Sequence, residues 1–451
     1  MSTICALSTP NAVGGIAVIR ISGENSRQLA DRIFVSYSKK TVVDMAGHTC
    51  AYGKIVDKGE TVDDVLLTVF IAPKSYTGED TVEISCHGGV YVSKRILRLL
   101  ISLGCEPAEA GEFTKRAFLN GKLSLTQAEG VADIISAQGE ATLRSANLMR
   151  QGALYKTARS VADRLINLLG SLSAWTDYPD EDIPETDNVS IARTLGECKT
   201  TLEKLLRDYD TGRILREGID TAIVGKPNVG KSTLMNRLLG YERSIVTDIA
   251  GTTRDVVEES VRLGEVTLRL SDTAGIRSSS DLVEAIGVDR ARAKLSEAQL
   301  VLAVFDGSRP LDDEDKELLE LIKNRNTLVI INKSDLLTVF NSEYIMCENI
   351  LEVSSKSGDG FEELKAKIYE MFKLDSLSDS AEIFANERQK KCCEVALESV
   401  ILAKEAIEMG ETLDALTIMV DRGANALLEL TGEKTTEAVV DDVFTRFCVG
   451  K

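Results

Sequence analysis

The chain has 451 residues, 43% of them apolar and 27% charged, too long for one hydrophobic core and suited to two or three domains. Its 53 Lys and Arg stand against 71 Asp and Glu, and the resulting net charge of −18 repels phosphate backbones, which disfavours a broad, sequence-independent grip on RNA. Nine cysteines without C-x-x-C spacing and two histidines argue against a structural zinc site and fit a reducing, cytoplasmic setting.

Residues 1 to 119 mix short β-rich runs (Ile16–Ile21, Val65–Ile71 and Thr81–Cys86) with a helical run, Val90–Leu103, and Gly/Pro turns. That is the pattern of an α+β domain. Asn11 to Gly23 already reads as domain structure, so no targeting peptide is expected. His87, before two glycines, reads as structural or loop-orienting. From 120 to 217 the pattern becomes helical. No Pro occurs between Pro107 and Pro179, and apolar residues recur at helical spacing, as in Val131, Ile134 and Ile135 and then Leu165, Leu168 and Leu169. An acidic stretch from Asp177 to Glu185 breaks the run as a loop.

Residues 218 to 376 alternate strand and helix, as a doubly wound parallel sheet must. After a short polar linker around Ser376–Ser380, residues 377 to 451 read as helical to the end. Helices on both sides of the α/β module imply that it is inserted in one all-α domain, its two ends leaving close together. No stretch reaches the roughly 18 apolar residues that a membrane span requires. Cys448, four residues from the end, invites a prenylation reading, but Gly450 and Lys451 suit that signal poorly and it is rejected.

The α/β module carries the most specific chemistry. Gly225-Lys226-Pro227-Asn228-Val229-Gly230-Lys231-Ser232 fits G-x-x-x-x-G-K-[ST], between an apolar run, Thr221–Val224, and a helical one beginning at Thr233. Backbone N–H groups of such a loop cradle a pyrophosphate; Lys231 reaches the terminal phosphates and the Ser232 hydroxyl ligates Mg²⁺. Three further stretches follow in order. Thr247-Asp248-Ile249-Ala250-Gly251-Thr252-Thr253 reads as a switch whose Thr253 completes the Mg²⁺ shell. Asp272-Thr273-Ala274-Gly275 closes the strand Val266–Leu270; it offers Mg²⁺ a carboxylate through water and the γ-phosphate an N–H.

Asn332-Lys333-Ser334-Asp335 closes the strand Thr327–Ile331, and Ser354-Ser355-Lys356 would close over a base. Asp335 can accept from guanine N1–H and its 2-amino group, donors that adenine lacks, so the expected nucleotide is GTP. Ile276 follows Gly275 where a Ras-like protein keeps a water-positioning Gln, so hydrolysis needs another orienter and another positive charge. Asn228, inside the loop, reads either as a ligand of a monovalent cation or as a turn residue tolerating left-handed geometry.

Taken together, these motifs resemble the MnmE (TrmE) family of tRNA-modifying GTPases. The resemblance rests also on Ala17-Val18-Ile19-Arg20-Ile21-Ser22-Gly23, Ser75-Tyr76-Thr77-Gly78-Glu79-Asp80 and Glu83-Ile84-Ser85-Cys86-His87-Gly88-Gly89. Gly111-Glu112-Phe113-Thr114-Lys115-Arg116-Ala117-Phe118-Leu119-Asn120 and the closing Phe447-Cys448-Val449-Gly450-Lys451 extend it over the whole chain. Val449 stands where the family usually has Ile, a difference of one methylene.

The resemblance implies an N-terminal domain that dimerises and binds a one-carbon tetrahydrofolate, in the 5-formyl or methylene form, at Arg20, Glu83, Lys122 and Lys451. Basic side chains suit the glutamate carboxylates, and Glu83 suits a pterin's guanidine-like edge. It implies K⁺ held by Asn228, Thr247, Ile249 and Thr252, with two modules of a homodimer pairing across their nucleotides, and Glu284 polarising the water. It further implies an FAD-dependent partner in a heterotetramer, tRNA as substrate, and a (carboxymethyl)aminomethyl group formed at C5 of wobble uridine. Cys448 reads as a nucleophile or electrophile-handling thiol, or else as a small buried apolar residue. Two rivals are a ribosome-assembly GTPase of the same cation-dependent type and a folate-dependent one-carbon enzyme with a regulatory GTPase insert. The first would normally carry a basic RNA-binding domain, which the charge balance does not support.

Overall fold

The computed structural model describes residues 2–137, 139–177, 188–241, 259–264, 266–270, 298–337, 339, 347–372, 386–445, 447 and 449–450. Packing divides the chain into two compact units, one made of Met1–Ile135, Asn147–Glu203 and Glu387–Lys451, the other of Ser136–Ala146 and Lys204–Asn386. The expected acidic loop after Asp177 and the linker at 376–380 lie outside the described residues.

The first unit opens with a seven-stranded sheet in the order β3-β4-β5-β6-β2-β1-β7. Its strands are β1 Ile4–Leu7, β2 Ile16–Ser22, β3 Phe34–Ser36, β4 Thr49–Asp57, β5 Glu60–Phe70, β6 Thr81–His87 and β7 Glu106–Pro107. All neighbours are antiparallel except β1 and β7. Period-two alternation sorts the side chains: Val82, Ile84 and Cys86 of β6 turn inward, while Glu83, Ser85 and His87 turn to the other face. The inner face packs with Leu29 and Ala30 of α1 (Ser26–Asp31) and with Ile96 and Leu100 of α2 (Val90–Ser102) in one core. On the other face Ile16, Tyr52 and Leu66 are 69%, 59% and 44% exposed, while Ile4 and Ala6 of β1 are covered by Phe113 and Tyr76.

His87 pairs with Asp63 of β5. Its ring Nδ1 lies 2.6 Å from Asp63 Oδ1, and its backbone N–H donates to Asp63 Oδ2 at 2.8 Å. The hydrogen bond and the charge of Asp63 raise the His87 pKa above its ordinary value. The stabilisation is therefore complete below the unfolded-state pKa of about 6.5 and is lost as pH rises through the folded value. The Tm difference between the native chain and His87→Gln should accordingly shrink between about pH 5 and about pH 9. A difference independent of pH would mean that charge plays no part in the contact.

The same unit continues with helices α3 Glu112–Leu119, α4 Leu125–Ser136 and α6 Ala153–Asp177; α5 (Glu140–Arg150) and α7 (Asn188–Glu217) each run across a unit boundary. The other unit is a six-stranded sheet in the order β13-β12-β11-β8-β10-β9. Its strands are β8 Ile219–Val224, β9 Glu259–Leu263, β10 Val266–Leu270, β11 Leu300–Asp306, β12 Thr327–Asn332 and β13 Ile350–Val353. Its helices are α8 Lys231–Tyr241, α9 Asp313–Ile322 and α10 Phe361–Met371. The pairing is parallel throughout except at the edge, where β9 runs antiparallel to β10. Every residue of β11 and β12 is buried, as strands covered on both faces require.

After the second sheet the chain returns to the first unit with α11 Glu387–Met409, α12 Leu413–Thr431 and α13 Glu437–Thr445. A Cβ on Gly423 of α12 would lie 3.3 Å from Ser399 Cβ and 3.5 Å from Leu165 Cδ1, so α11 and α6 both pass close to it. The last residues dock on the N-terminal sheet. Gly111, at φ +68°, leaves room for the Phe444 carbonyl, which an added Cβ would approach to 2.6 Å. Ala110 bridges Val449, and the Ser8 hydroxyl donates to the Gly450 carbonyl at 3.1 Å.

Candidate functional site

β8 delivers the phosphate loop at its carboxyl end and α8 begins at Lys231, the strand–loop–helix context that the motif requires. Three backbone positions hold the loop. Gly225 sits at φ +151° where a Cβ would lie 2.4 Å from the Val304 carbonyl; Gly230 sits at φ +100° against the Asn332 amide; Asn228 is left-handed at φ +65°. The Lys231 ammonium donates to the Gly225 and Lys226 carbonyls, both at 2.6 Å, and burial pushes its pKa down. An arriving phosphate would offer it the negative charge that these two carbonyls lack. Ser232 and Thr233 are exposed in the first turn of α8, so the Ser232 hydroxyl is free to meet Mg²⁺. Asn228 is exposed as well.

The candidate base-reading residues lie at and after the end of β12. Asn332 ties the site together: its Nδ2 donates to the Val229 carbonyl at 2.8 Å, while its Oδ1 accepts from Ser355 N–H at 3.0 Å and Oγ at 2.8 Å. Asp335 is exposed and accepts from the Ser354 hydroxyl at 2.7 Å. Lys356 is exposed beside them. One amide therefore ties the phosphate loop to Ser355, after the end of β13. Thr247 to Thr253, Asp272 to Gly275 and Glu284 lie outside the described residues.

Two lysines around this site make ion pairs that the sequence does not reveal. Lys333, at φ +68°, pairs with Asp306 at 2.6 Å, which fixes its backbone beside Asn332. Lys226, in the phosphate loop, pairs with Asp312 at 2.5 Å and Glu314 at 2.7 Å. Asp312 is also the N-cap of α9, in a capping box with Asp315. The D-x-x-D spacing marks the cap in the sequence, but nothing there links the cap to the loop.

In the N-terminal unit, β2–β6 pairing sets Arg20 opposite Glu83. The Arg20 Nε donates to Glu83 Oε1 at 2.9 Å, and the guanidinium lies 5.5 Å from the Tyr76 ring and 5.6 Å from the Phe113 ring. The Lys122 ammonium donates to the Pro73 carbonyl at 2.9 Å, on the loop that carries Tyr76. Arg20 also pairs with Ala6 of β1, whose neighbour Leu7 has its carbonyl 2.5 Å from where a Cβ on Gly450 would sit. Arg20, Glu83 and Lys122 are thus gathered through strand pairing and one loop, with the C-terminal segment alongside. Cys448 and Lys451 lie outside the described residues.

Comparison with known proteins bears on the whole chain. Residues 3–122 match the model of the GTP-binding protein TrmE N-terminus, and residues 125–448 match that of the MnmE helical domain. The tRNA modification GTPase MnmE of Carboxydothermus hydrogenoformans is 41% identical over 100% of this chain and 99% of its own length. That of Clostridioides difficile is 41% identical with the same coverage of both. This chain belongs to the MnmE family of tRNA modification GTPases. As a member it is a GTP hydrolase acting in tRNA modification. It also selects the MnmE reading over the ribosome-assembly one. A structure of Era with MgGDPNP and 16S ribosomal RNA nucleotides matches 40% of this chain and 66% of its own at 28% identity, with a TM-score of 0.26.

Proposed function

We propose that this MnmE-family chain is a K⁺-dependent, Mg²⁺-dependent GTPase whose hydrolysis drives formation of the (carboxymethyl)aminomethyl group at C5 of wobble uridine, together with an FAD-dependent partner in the cytoplasm. In this reading residues 1–119 bind folate and dimerise, 120–217 and 377–451 form one helical domain, and 218–376 are the inserted GTPase. Ser232 and Thr253 hold Mg²⁺; Asn228, Thr247, Ile249 and Thr252 hold K⁺; Glu284 orients the attacking water. The K⁺ supplies the positive charge that an arginine finger gives elsewhere. A one-carbon tetrahydrofolate supplies the methylene carbon, held by Arg20, Glu83, Lys122 and Lys451.

The observation that carries the reading is the seating of Gly450 on Leu7 and Ser8, beside the strand pair bearing Arg20, while the nucleotide loop belongs to the other unit. Chemistry at Cys448 and hydrolysis at Lys231 then occupy different units, and the GTPase acts as a switch. The exposed Ile16, Tyr52 and Leu66 on that face of the N-terminal sheet support dimerisation through the N-terminal domain. The ion pair of Arg20 with Glu83 fits folate binding if the ligand's carboxylates and pterin edge each exchange for one partner.

Two variants test the reading. Glu284→Ala is expected to bind GTP normally, hydrolyse it at least about 10²-fold more slowly and fail to modify tRNA, read by mass spectrometry of wobble uridine. Cys448→Ser is expected to hydrolyse GTP near the native rate and lose modification. Native modification by Glu284→Ala with hydrolysis abolished would show that the switch is not coupled to the chemistry.

A further inference from the structure

α11 is the helix on which the chain re-enters the N-terminal unit after Asn386, the last residue of the nucleotide-binding unit. Its second residue, Arg388, turns inward. Nε donates to Glu129 Oε1 at 3.1 Å and Nη2 to Glu129 Oε2 at 3.0 Å. Nη1 also donates to the Glu429 carbonyl at 3.1 Å and Nη2 to the Leu430 carbonyl at 3.3 Å. Gln389, fully buried, donates to Glu129 Oε2 at 2.5 Å. The Glu129 side chain is only 7% exposed. Arg388 at the start of α11 therefore holds both the carboxylate of α4 and the last turn of α12.

The chemistry suits a rigid joint. The planar guanidinium meets the carboxylate with two parallel bonds. Its two carbonyl partners are among the last four of α12, where the helix dipole favours a cation. Burial pulls the Arg388 pKa down, and the charge and hydrogen bonds of Glu129 more than reverse it.

α4 also touches the C-terminal segment. Leu125 and Ala128, on the same helix as Glu129, pack with Val440, Val443, Phe444 and Phe447. The α12 cap residue Gly432, at φ +90°, lies so near that a Cβ would come within 2.6 Å of Leu125 Cβ. Phe447 and Val449 flank Cys448. A displacement of the start of α11 must then either separate a buried ion pair, leaving an uncompensated charge, or carry α4 and the seat of Phe444 and Phe447 with it.

We infer that the Glu129–Arg388 pair is a positioning element that couples the chain leaving the nucleotide-binding unit to the C-terminal segment bearing Cys448. The inference rests on the proposed link between nucleotide state and N-terminal chemistry. Its readout is a ratio: the affinity of the full chain for 5-formyltetrahydrofolate with a non-hydrolysable GTP analogue in KCl, divided by that with GDP. A native ratio departing from one by about 5- to 150-fold is expected. Glu129→Gln should bring it within about twofold of one while GTP affinity stays within a few-fold. Arg388→Lys keeps the charge, gives up the fork and is the milder variant should the first fail to fold; its ratio should fall between. A merely structural role would lower Tm and weaken folate equally in both nucleotide states, and a ratio unchanged in the folded variants overturns the inference alone. A native ratio of one overturns it together with the coupled reading.

Discussion

GTP hydrolysis by the full chain is expected to run about 10³-fold faster in KCl than in NaCl of equal strength, the lower end of what an arginine finger contributes. The requirement arises because the residue after Gly275 is Ile276, which can neither orient water nor neutralise charge. In the proposed reading an ion supplies that charge, and Asn228 is the candidate ligand among the described residues. Its backbone is left-handed at φ +65°, the geometry that a plain turn residue would also adopt. Asn228→Gly separates the two roles, because glycine keeps that backbone at no steric cost and removes only the amide. If the amide holds K⁺, the variant should bind GTP within a few-fold of native and lose most of the K⁺ stimulation. Native rates from Asn228→Gly in KCl would reduce Asn228 to a turn residue, and equal native rates in both salts would remove the cation from the mechanism.

The candidate nucleotide site was legible because its residues keep strict spacing at strand ends. Gly225, Gly230 and Asn332 stand where backbone contacts allow little else, so type and position are dictated together. The strands Ile16–Ser22, Thr81–His87 and Val266–Leu270 match their apolar runs to within a residue or so. The antiparallel edge at β9 was not expected, because alternation of strand and helix says nothing about an edge strand joined by a tight hairpin.

The α4 helix is legible in the sequence, but not which side of it is buried. Val131, Ile134 and Ile135 give the spacing, yet Ile135 is 45% exposed, and Leu125, Ala128 and the charged Glu129 form the buried side. An acid inside a helix reads as solvated when its partner is unknown. Arg388 lies 259 residues away and Asp312 is 86 residues from Lys226, and pairs so separated leave no periodic trace in one sequence. Arg20 and Glu83 carry the family resemblance separately; only the β2–β6 register makes them partners.

Asp335→Asn is expected to weaken GTP by about 10²-fold, or about 3 kcal/mol, and to make xanthosine triphosphate the better ligand. The geometry gives a reason beyond the motif. One Asp335 oxygen already accepts the Ser354 hydroxyl at 2.7 Å. In the variant the amide oxygen is the group able to keep that bond, which turns the NH₂ toward the base. Guanine presents N1–H and a 2-amino group there, so donor meets donor and two polar groups lose their partners. Xanthine has an oxygen at position 2, which accepts from the amide. Because Asp335 is exposed, water offsets part of the mismatch, and the loss should fall short of the roughly 10⁴ to 10⁵ of a fully enclosed polar site. Calorimetric titration of the variant with both triphosphates decides it. Ser354→Ala in the same background should relax the inversion, since the amide can then rotate and offer its oxygen to guanine. GTP affinity unchanged in Asp335→Asn would mean that this carboxylate does not read the base.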